Sequence, residues 1–305
     1  MNDFIRIRDC DIIFLSYDEP NADANYQYLK FSVPRAKRVH GIEGSDSAHK
    51  ECARISETEN FLTIDGDTVV TRDFFRLEFA PSEFGATKEH VFSWCGKVNI
   101  NGLMYGNGSI KLWTRKFALG MRTHENANPN DPLSNVDFCF DDTYRQLNAN
   151  YSTSIINDTP LQAWRAGFRE GVKMNILSPR CDILLKNMSP DNYVRALIWS
   201  SVGRDVPNGD WAMLGAREGC YLARSKTWDM TNVRDFRYLN KYWEDNYANN
   251  LLSKEEKLAY YREKLLETDI TIAELDPEQS AFFKETYTPP SRVWKEYKIF
   301  PYDNF

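Results

Sequence analysis

What most constrains the fold of this chain is a repeated order near its start. Three short apolar runs, each closed by a polar break, are separated by two helix-length stretches. Ile12 to Ser16 is rich in Ile and Phe, reads as a buried strand, and ends in Tyr17-Asp18-Glu19-Pro20. Asp23 to Phe31 has helical character, with Tyr26, Leu29 and Lys30 on adjacent turns, and Lys37 to Ile42 reads as a second short strand. Gly44 to Ser56 (GSDSAHKECARIS) opens with Ser and Asp capping candidates and predicts a second helix. Asn60 to Ile64 is the third strand, and Asp65-Gly66-Asp67 closes it before apolar residues resume. The β-α-β-α-β order predicts an α/β fold with a Rossmann-like sheet, whose ligands sit beyond the carboxyl ends of its strands. Both Ser16–Glu19 and Asp65–Asp67 fall at that edge. Asp-Gly between apolar runs is also a hairpin signal, but a strand that is parallel and central cannot turn straight back.

After Thr71 the pattern changes to short strands at Phe74 to Phe79, His90 to Trp94 and Ser109 to Trp113, the last two flanking the glycine-rich loop NGLMYGNGS. Asn126 to Asn135 is a loop by composition. Pro160 to Asn175 is an amphipathic helix, with Trp164, Phe168 and Val172 on one face and Arg165 and Arg169 on the next. From about Ser178 the chain turns strongly helical, at Ser189 to Val202, Val233 to Tyr247 and Ser253 to Glu267. The simplest division is a catalytic α/β domain over 1–177 and a mainly helical region over 178–305.

No apolar run approaches the roughly 20 residues of a membrane helix, so a cytoplasmic protein without membrane partners is expected. Six cysteines stand singly, with no CxxC or Cys/His cluster, which argues against zinc and for reduced, buried thiols. A formal net charge of -6 argues against a protein that coats nucleic acid non-specifically. Two stretches nevertheless carry Lys and Arg without acids: Tyr26 to Gly41 (Lys30, Arg35, Lys37, Arg38) and Asn101 to His124 (Lys111, Arg115, Lys116, Arg122). Each reads as a solvated face or as a phosphate-facing rim.

Two carboxylates at a strand end, one residue apart, can hold Mg²⁺ or Mn²⁺ against a diphosphate, with a glycine between them allowing close backbone approach. A transferase that uses a nucleotide sugar needs this arrangement to neutralise its leaving group. The same letters also resemble haloacid dehalogenase-like phosphohydrolases, in which Asp-X-Asp-X-Thr/Val follows an apolar strand and a downstream Lys and an acid pair complete the site. Asp65-Gly-Asp67-Thr-Val-Val70 fits that pattern, and Asp141-Asp142 offers the pair. In that family the motif strand usually opens the domain, whereas here a β-α-β-α unit precedes it.

From Asp11 to Gly171 the chain resembles the GT-A glycosyltransferases, close in pattern to the family two enzymes. The resemblance implies a GT-A sheet with helices on both faces, a metal ion (Mn²⁺ or Mg²⁺) and a UDP-sugar donor. Ser16-Tyr17-Asp18-Glu19-Pro20 matches the segment that holds the nucleotide, and Gly44-Ser-Asp-Ser-Ala-His49-Lys50 is similar to the helix that follows, making His49 and Lys50 nucleotide contacts. Asp65 and Asp67 stand at the metal motif, and His124 is the candidate third ligand. Tyr105-Gly106-Asn107-Gly108-Ser-Ile-Lys111 resembles the glycine-bearing strand start near the acceptor, where Trp94 and Tyr105 would stack on a sugar or an extruded base unless they pack in the core. Val136-Asp137-Phe-Cys-Phe-Asp141-Asp142 occupies the place of the base, with Asp137 or Asp141 in that role in an inverting enzyme. Gln162-Ala-Trp164-Arg165, followed by Arg169, resembles the helix near the leaving phosphate. More narrowly, IDGD, NGLMYGNGSIKLW, PLQAWRAGFREGVKM and NGDWAMLGAREGCYLA resemble glycosyltransferases of large tailed phages, of the DNA arabinosyltransferase type. That resemblance implies transfer of arabinose or glucose to hydroxymethylcytosine in phage DNA. A glycan or protein acceptor, the phosphohydrolase, and a module that only binds DNA or a partner are the competing readings.

Overall fold

The computed structural model describes residues 4–123, 142–177, 180–248 and 253–287, with the backbone alone for 106–108 and 180. The chain forms two compact units: Met1–Val98 with Met104–Ile155, and Asn99–Leu103 with Ile156–Tyr287.

The first unit runs β1 (Ile5–Arg6), β2 (Asp11–Ser16), α1 (Ala22–Ser32), β3 (Lys37–His40), α2 (Ser45–Ile55), β4 (Asn60–Asp65), β5 (Thr68–Val70), β6 (Glu78–Phe79), β7 (Val91–Val98), β8 (Met104–Thr114), α3 (Arg115–Gly120) and β9 (Tyr144–Ser154). Seven strands form one sheet in the order β3-β2-β4-β8-β7-β9-β5, and β1 pairs with β6 apart from it. β2 runs parallel to both β3 and β4, as the β-α-β-α-β order requires. β8 then runs antiparallel to β4 and to β7, β9 is parallel to β7, and β5 is antiparallel to β9. The result is a mixed α/β sheet of Rossmann-like character.

Alternation along each strand feeds two cores. Ile12, Phe14, Leu62, Ile64, Ile110 and Leu112 face one side, with Leu29 and Val33 from α1 and its end and with Phe74 and Phe79. Ile13, Phe61 and Trp113 face the other, with Cys52 and Ala53 of α2, Ala118 of α3 and the nearby Met121. Both faces being covered explains why β2 and β4 read as continuous apolar runs rather than alternating ones.

The hairpin reading of Asp65-Gly66-Asp67 fails on pairing and on backbone. β5 pairs with β9 and not with β4. A two-residue hairpin of the primed type needs positive φ at its centre, and Gly66 is absent from the residues with positive φ. Two other local expectations change. Phe74 to Phe79 is not one strand: Arg72–Arg76 is a 3₁₀ turn that drops Phe74 into the core, where its ring meets Trp94 at 5.0 Å, and only Glu78–Phe79 is extended. NGLMYGNGS is not all loop, since β8 starts at Met104 and pairs with β7 through Lys97↔Met104 and Gly96↔Tyr105, with a register shift before Trp94↔Ile110.

The second unit holds α4 (Pro160–Lys173), β10 (Ile176–Leu177), β11 (Arg180–Leu184), α5 (Pro190–Ser201), α6 (Gly209–Ser225), α7 (Phe236–Trp243), α8 (Lys254–Leu266) and α9 (Pro277–Thr286). The sequence division at about residue 177 keeps α4 with the sheet, but α4 packs on α6 at a crossing that glycines make possible. A Cβ on Gly215 would lie 2.1 Å from Trp164 O, and one on Gly171 would lie 2.3 Å from Ala216 O. The stretch Trp211 to Tyr221 is the middle of this buried helix. Its Glu218 is buried and accepts hydrogen bonds from Trp164 Nε1 (2.9 Å), the Tyr242 and Tyr261 hydroxyls (2.8 Å each) and the Tyr247 hydroxyl. The aromatic run at Val233 to Tyr247 begins its helix only at Phe236, after a 3₁₀ turn over Met230–Arg234.

Among the described residues no helix is long and apolar enough to cross a membrane. The described cysteines Cys10, Cys52, Cys95, Cys181 and Cys220 are all free thiols, and all but Cys181 are buried.

Candidate functional site

The carboxyl ends of β2 and β4 lie side by side, with Leu15 opposite Asp65 in the parallel register. That register brings Ser16–Glu19 against Asp65–Asp67. Contact is close enough that a Cβ on Gly66 would sit 2.6 Å from Glu19 Oε2 and 2.9 Å from Ser16 Cβ. Since its φ is ordinary, glycine is required at position 66 for space and not for backbone conformation.

Hydrogen bonds hold the turn from two sides. Asn25 Nδ2, on α1, donates to Gly66 O at 3.0 Å, and the Ile155 N–H donates to Asp67 O at 2.7 Å. Asn21, one helical turn before Asn25, donates from Nδ2 to Ile155 O at 2.8 Å. The two asparagines thus tie the turn and the end of β9 to the start of one helix.

Glu19, Asp65 and Asp67 lie together at this edge, with the exposed Asp18 beside Glu19. Burial, then the charge of Asp65 and also that of Glu19, push the Asp67 carboxyl up to about 7, against a lowering by the Thr68 hydroxyl, which donates to Asp67 Oδ1 at 3.0 Å. Burial also raises Glu19, although the Tyr17 N–H donates to its Oε2 at 2.8 Å, and Asp65 and Asp18 push in the same direction as burial. Among the described residues, a lysine from β8 reaches this edge. Lys111 Nζ lies 3.6 Å from Asp65 Oδ2, with its side chain only 8% exposed.

Beside the carboxylates, Ser16 Oγ accepts from Arg38 Nε at 3.0 Å and lies 3.0 Å from His40 Nδ1. Arg38 also donates to Asp23 Oδ1 at 2.7 Å, with its guanidinium 5.2 Å above the Tyr26 ring. Tyr17 and Asp18 are exposed at the same edge.

The remaining expected site residues have these places. His49 is buried in α2, its Nδ1 2.7 Å from Ser45 O and its ring edge-on to Trp113 at 5.1 Å. Lys50 donates to Asp46 Oδ2 at 2.5 Å, one helical turn away. Trp94 is fully buried between Phe74 and Phe79, a core position that leaves no face for stacking on a ligand. Tyr105 is half-buried in β8, whose backbone continues through Gly106, Asn107 and Gly108. Arg165 and Arg169 share a face of α4, as their spacing predicts. There they grip the Phe236 ring at 4.4 and 4.5 Å, and donate to Asn240 Oδ1 and Val233 O. His124, Asp137 and Asp141 lie outside the described residues. Of the acid-free stretch Tyr26 to Gly41, Lys37 pairs with Asp11 and Glu57, Arg38 with Asp23, and Arg35 donates to Arg8 O, so these side chains have partners within the unit.

Asn21, Asn25 and the pairing of Lys111 with Asp65 have no signal in the sequence. The asparagines read as ordinary helix-start residues, and the reach of Lys111 depends on the pairing of β8 with β4.

Fold and site together define a Rossmann-like α/β protein with a carboxylate turn at the ligand edge of its parallel strands. No protein-family model matches the chain, and no curated protein matches it. Among solved structures, the crystal structure of HddC from Yersinia pseudotuberculosis is similar at 15% identity over 48% of this chain and 74% of that one, with a TM-score of 0.26. A likeness of that size carries no argument about activity.

Proposed function

We propose that the chain is a metal-dependent glycosyltransferase of the GT-A kind that takes its sugar from a UDP-sugar. The observation that carries this reading is the convergence of Asp65, Asp67 and Glu19 where β2 and β4 end, in the place where a sheet of this topology receives its ligand. Among the described residues Lys111 is the cation that pairs with Asp65, and the hard oxygen donors of these carboxylates suit Mg²⁺ or Mn²⁺. Among the described residues no group of three or more His, Cys, Asp or Glu is placed to hold a metal ion, so the protein would offer at most two carboxylates. An open site of one or two carboxylates completed by phosphate oxygens and water is the usual form for Mg²⁺.

Asp65 and Asp67 would hold the ion, which when bound offsets the charge that develops on the leaving diphosphate. Asn25 and the Ile155 N–H keep the two carboxylates in place by fixing the carbonyls of the turn between them. Ser16 to Glu19 would hold the nucleotide at the end of β2, with Tyr17, 47% exposed, offering a ring to the base. The resemblance to tailed-phage enzymes extends the proposal to the acceptor, hydroxymethylcytosine in DNA, and to arabinose or glucose as the sugar.

One observation favours a second reading. Lys111 beside Asp65 supplies the downstream lysine that a haloacid dehalogenase-like phosphohydrolase needs, and Asp67, raised to about 7, has the proton affinity of a general acid. One experiment separates the two. The protein is incubated with Mn²⁺, UDP-sugars and DNA containing hydroxymethylcytosine, and the digested nucleosides are weighed. A pentose or hexose increment supports the transferase, whereas phosphate release from a simple ester that UDP does not inhibit supports the hydrolase. Asp67→Asn is expected to abolish transfer and to raise Tm at neutral pH. The sign follows from a folded-state pKa above the ordinary carboxylate value: ionised Asp67 costs stability, and the cost grows as pH rises from the ordinary carboxylate value of about 3.9 to about 7, above which it is full. Full activity in Asp67→Asn would remove the metal assignment.

A further inference from the structure

We propose that Lys111 is a positioning residue that sets the order of binding at the carboxylate turn, holding the metal ion off when it comes alone and favouring it when it comes with a diphosphate. The proposal rests on the metal and diphosphate reading given above.

Lys111 lies on β8 opposite Thr63 of β4 and opposite Ser93 of β7. The two-residue period of a strand puts Asp65 on the same face as Thr63. Thr63 and Ser93 are both fully buried, and Lys111 stands between them in one row across three strands, with its stem in the interior. An ammonium group is rarely placed this way without a paired charge, and Asp65 Oδ2 is that charge, at 3.6 Å.

The spacing of this pair differs from that of the other buried ion pairs in the same unit. Lys50 Nζ is 2.5 Å from Asp46 and Lys37 Nζ is 3.2 Å from Asp11, both true hydrogen bonds. At 3.6 Å Lys111 acts on Asp65 through space and does not occupy a lone pair of the carboxylate by a hydrogen bond. Asp65, Asp67 and Glu19 lie together at this edge, and Lys111 is the cation that pairs with Asp65. A divalent cation arriving alone is attracted by the carboxylates and repelled by Lys111. A diphosphate reverses the lysine's part, because its negative charge gains from an ammonium fixed at the edge. The charge of Lys111 therefore weakens the binary metal complex and strengthens the ternary one.

A lysine that only props up the fold would move both affinities in the same direction. The test is titration of the full chain with Mn²⁺, free ion being read by electron paramagnetic resonance, with and without UDP. Lys111→Met is expected to bind Mn²⁺ alone about tenfold more tightly and the Mn²⁺–UDP pair about tenfold more weakly, with Lys111→Arg close to the parent in both. Lys111→Gln, which keeps a polar head on the buried stem, is read in the same way should Lys111→Met not fold. Equal affinities in the neutral variants and the parent, or shifts of the same sign in both arms, overturn the role of Lys111 while leaving the metal site standing. Failure of the parent protein to bind Mn²⁺ even with UDP overturns the metal reading itself.

Discussion

Gly66→Ala is the sharpest probe of the carboxylate turn, because only the space around that residue requires glycine. The new methyl would lie 2.6 Å from Glu19 Oε2, 2.8 Å from Glu19 Cδ and 2.9 Å from Ser16 Cβ. Glu19 ends a flexible side chain and can swing away, but swinging breaks the 2.8 Å bond from the Tyr17 N–H. A hydrogen bond to a charged group is worth about 1.5–3 kcal/mol, and the exposure of Tyr17 argues for the lower end. Ser16 Cβ is fixed to a strand end, so its backbone must give by a few tenths of an ångström. Against these costs, Ala in place of Gly stiffens the unfolded chain, which returns about 0.4–1 kcal/mol. The net loss is about 1 kcal/mol, or a Tm drop of about 2–4 °C by scanning calorimetry. Binding should suffer more than stability, because Glu19 and the turn leave their positions by more than the roughly 0.5 Å that a preorganised site tolerates. Mn²⁺ affinity in the presence of UDP is expected to fall by at least tenfold. Gly120→Ala is the matched control, since no atom lies within 4 Å of its built Cβ and its φ is ordinary. Should Gly66→Ala match Gly120→Ala in both Tm and Mn²⁺–UDP affinity, the close contact between the ends of β2 and β4 is wrong.

Two further outcomes test the packing of each unit. In the second unit, Gly215→Ala would put a methyl 2.1 Å from Trp164 O and 2.8 Å from Phe168 N, both backbone atoms, so α4 and α6 must part. Overpacking of this kind costs about 1–3 kcal/mol against a helix-propensity gain of about 1 kcal/mol. Because the clash is with fixed backbone the cost lies at the upper end, and a net loss of up to about 2 kcal/mol should lower the urea midpoint read by tryptophan fluorescence, so that an unchanged midpoint refutes the close crossing. In the first unit, Asp11 takes hydrogen bonds from the Glu57 N–H (2.5 Å), Lys37 Nζ (3.2 Å) and Ser56 Oγ (3.3 Å). Burial raises its carboxyl, but these bonds and the charge of Lys37 outweigh burial and leave it below the ordinary value. Stability from Asp11 is then present above the ordinary carboxylate pKa of about 3.9 and lost as pH falls through the folded value. Asp11→Asn should lower Tm at pH 7 by more than it does at pH 3, and a difference that does not change with pH refutes the assignment.

The parallel half of the sheet was legible because each of its signals is local. Ile12 to Ser16 and Asn60 to Ile64 are apolar on both faces, and the stretches between them carry their own capping residues and helix formers, so pairing of β2 with β3 and β4 follows from order alone. The antiparallel half depends on choices that no short window contains. Met104 to Ser109 carries glycine and asparagine and reads as a loop, but the pairing of Met104 and Tyr105 with β7 on one side and of Ile110 on the other holds the stretch within β8. Phe74 and Phe75 have strand propensity and sit in a 3₁₀ turn, since the fold needs the Phe74 ring beneath Trp94 more than it needs another strand. The α4–α6 crossing has a pattern at four-residue spacing, Gly167 with Gly171 and Gly215 with Gly219, but the pattern does not say which helix will fill the notch.

The site divides in the same way, and the division explains what its sequence motif can do. Asp65-Gly66-Asp67 is a local motif, and its position at the end of a parallel strand is enough to place it at the carboxyl edge of the sheet. What tunes the carboxylates is not local. Glu19 comes from β2, Asn25 from α1, the Ile155 N–H from the end of β9, and Lys111 from an antiparallel neighbour whose register decides whether its ammonium reaches Asp65 or points away. A one-residue slip of β8 against β4 would move Lys111 to the opposite face of the sheet. The side chains of Trp113 and Thr63 oppose that slip, since the indole Nε1 donates to Thr63 Oγ1 at 2.8 Å across the strand pair, with both residues fully buried. Loss of that bond leaves two buried polar groups unsatisfied, at about 1–3 kcal/mol each. The same buried contact that fixes the register of the core therefore fixes the countercharge of the site, and the Asp-X-Asp letters acquire their chemistry from a strand that is some forty residues away in sequence.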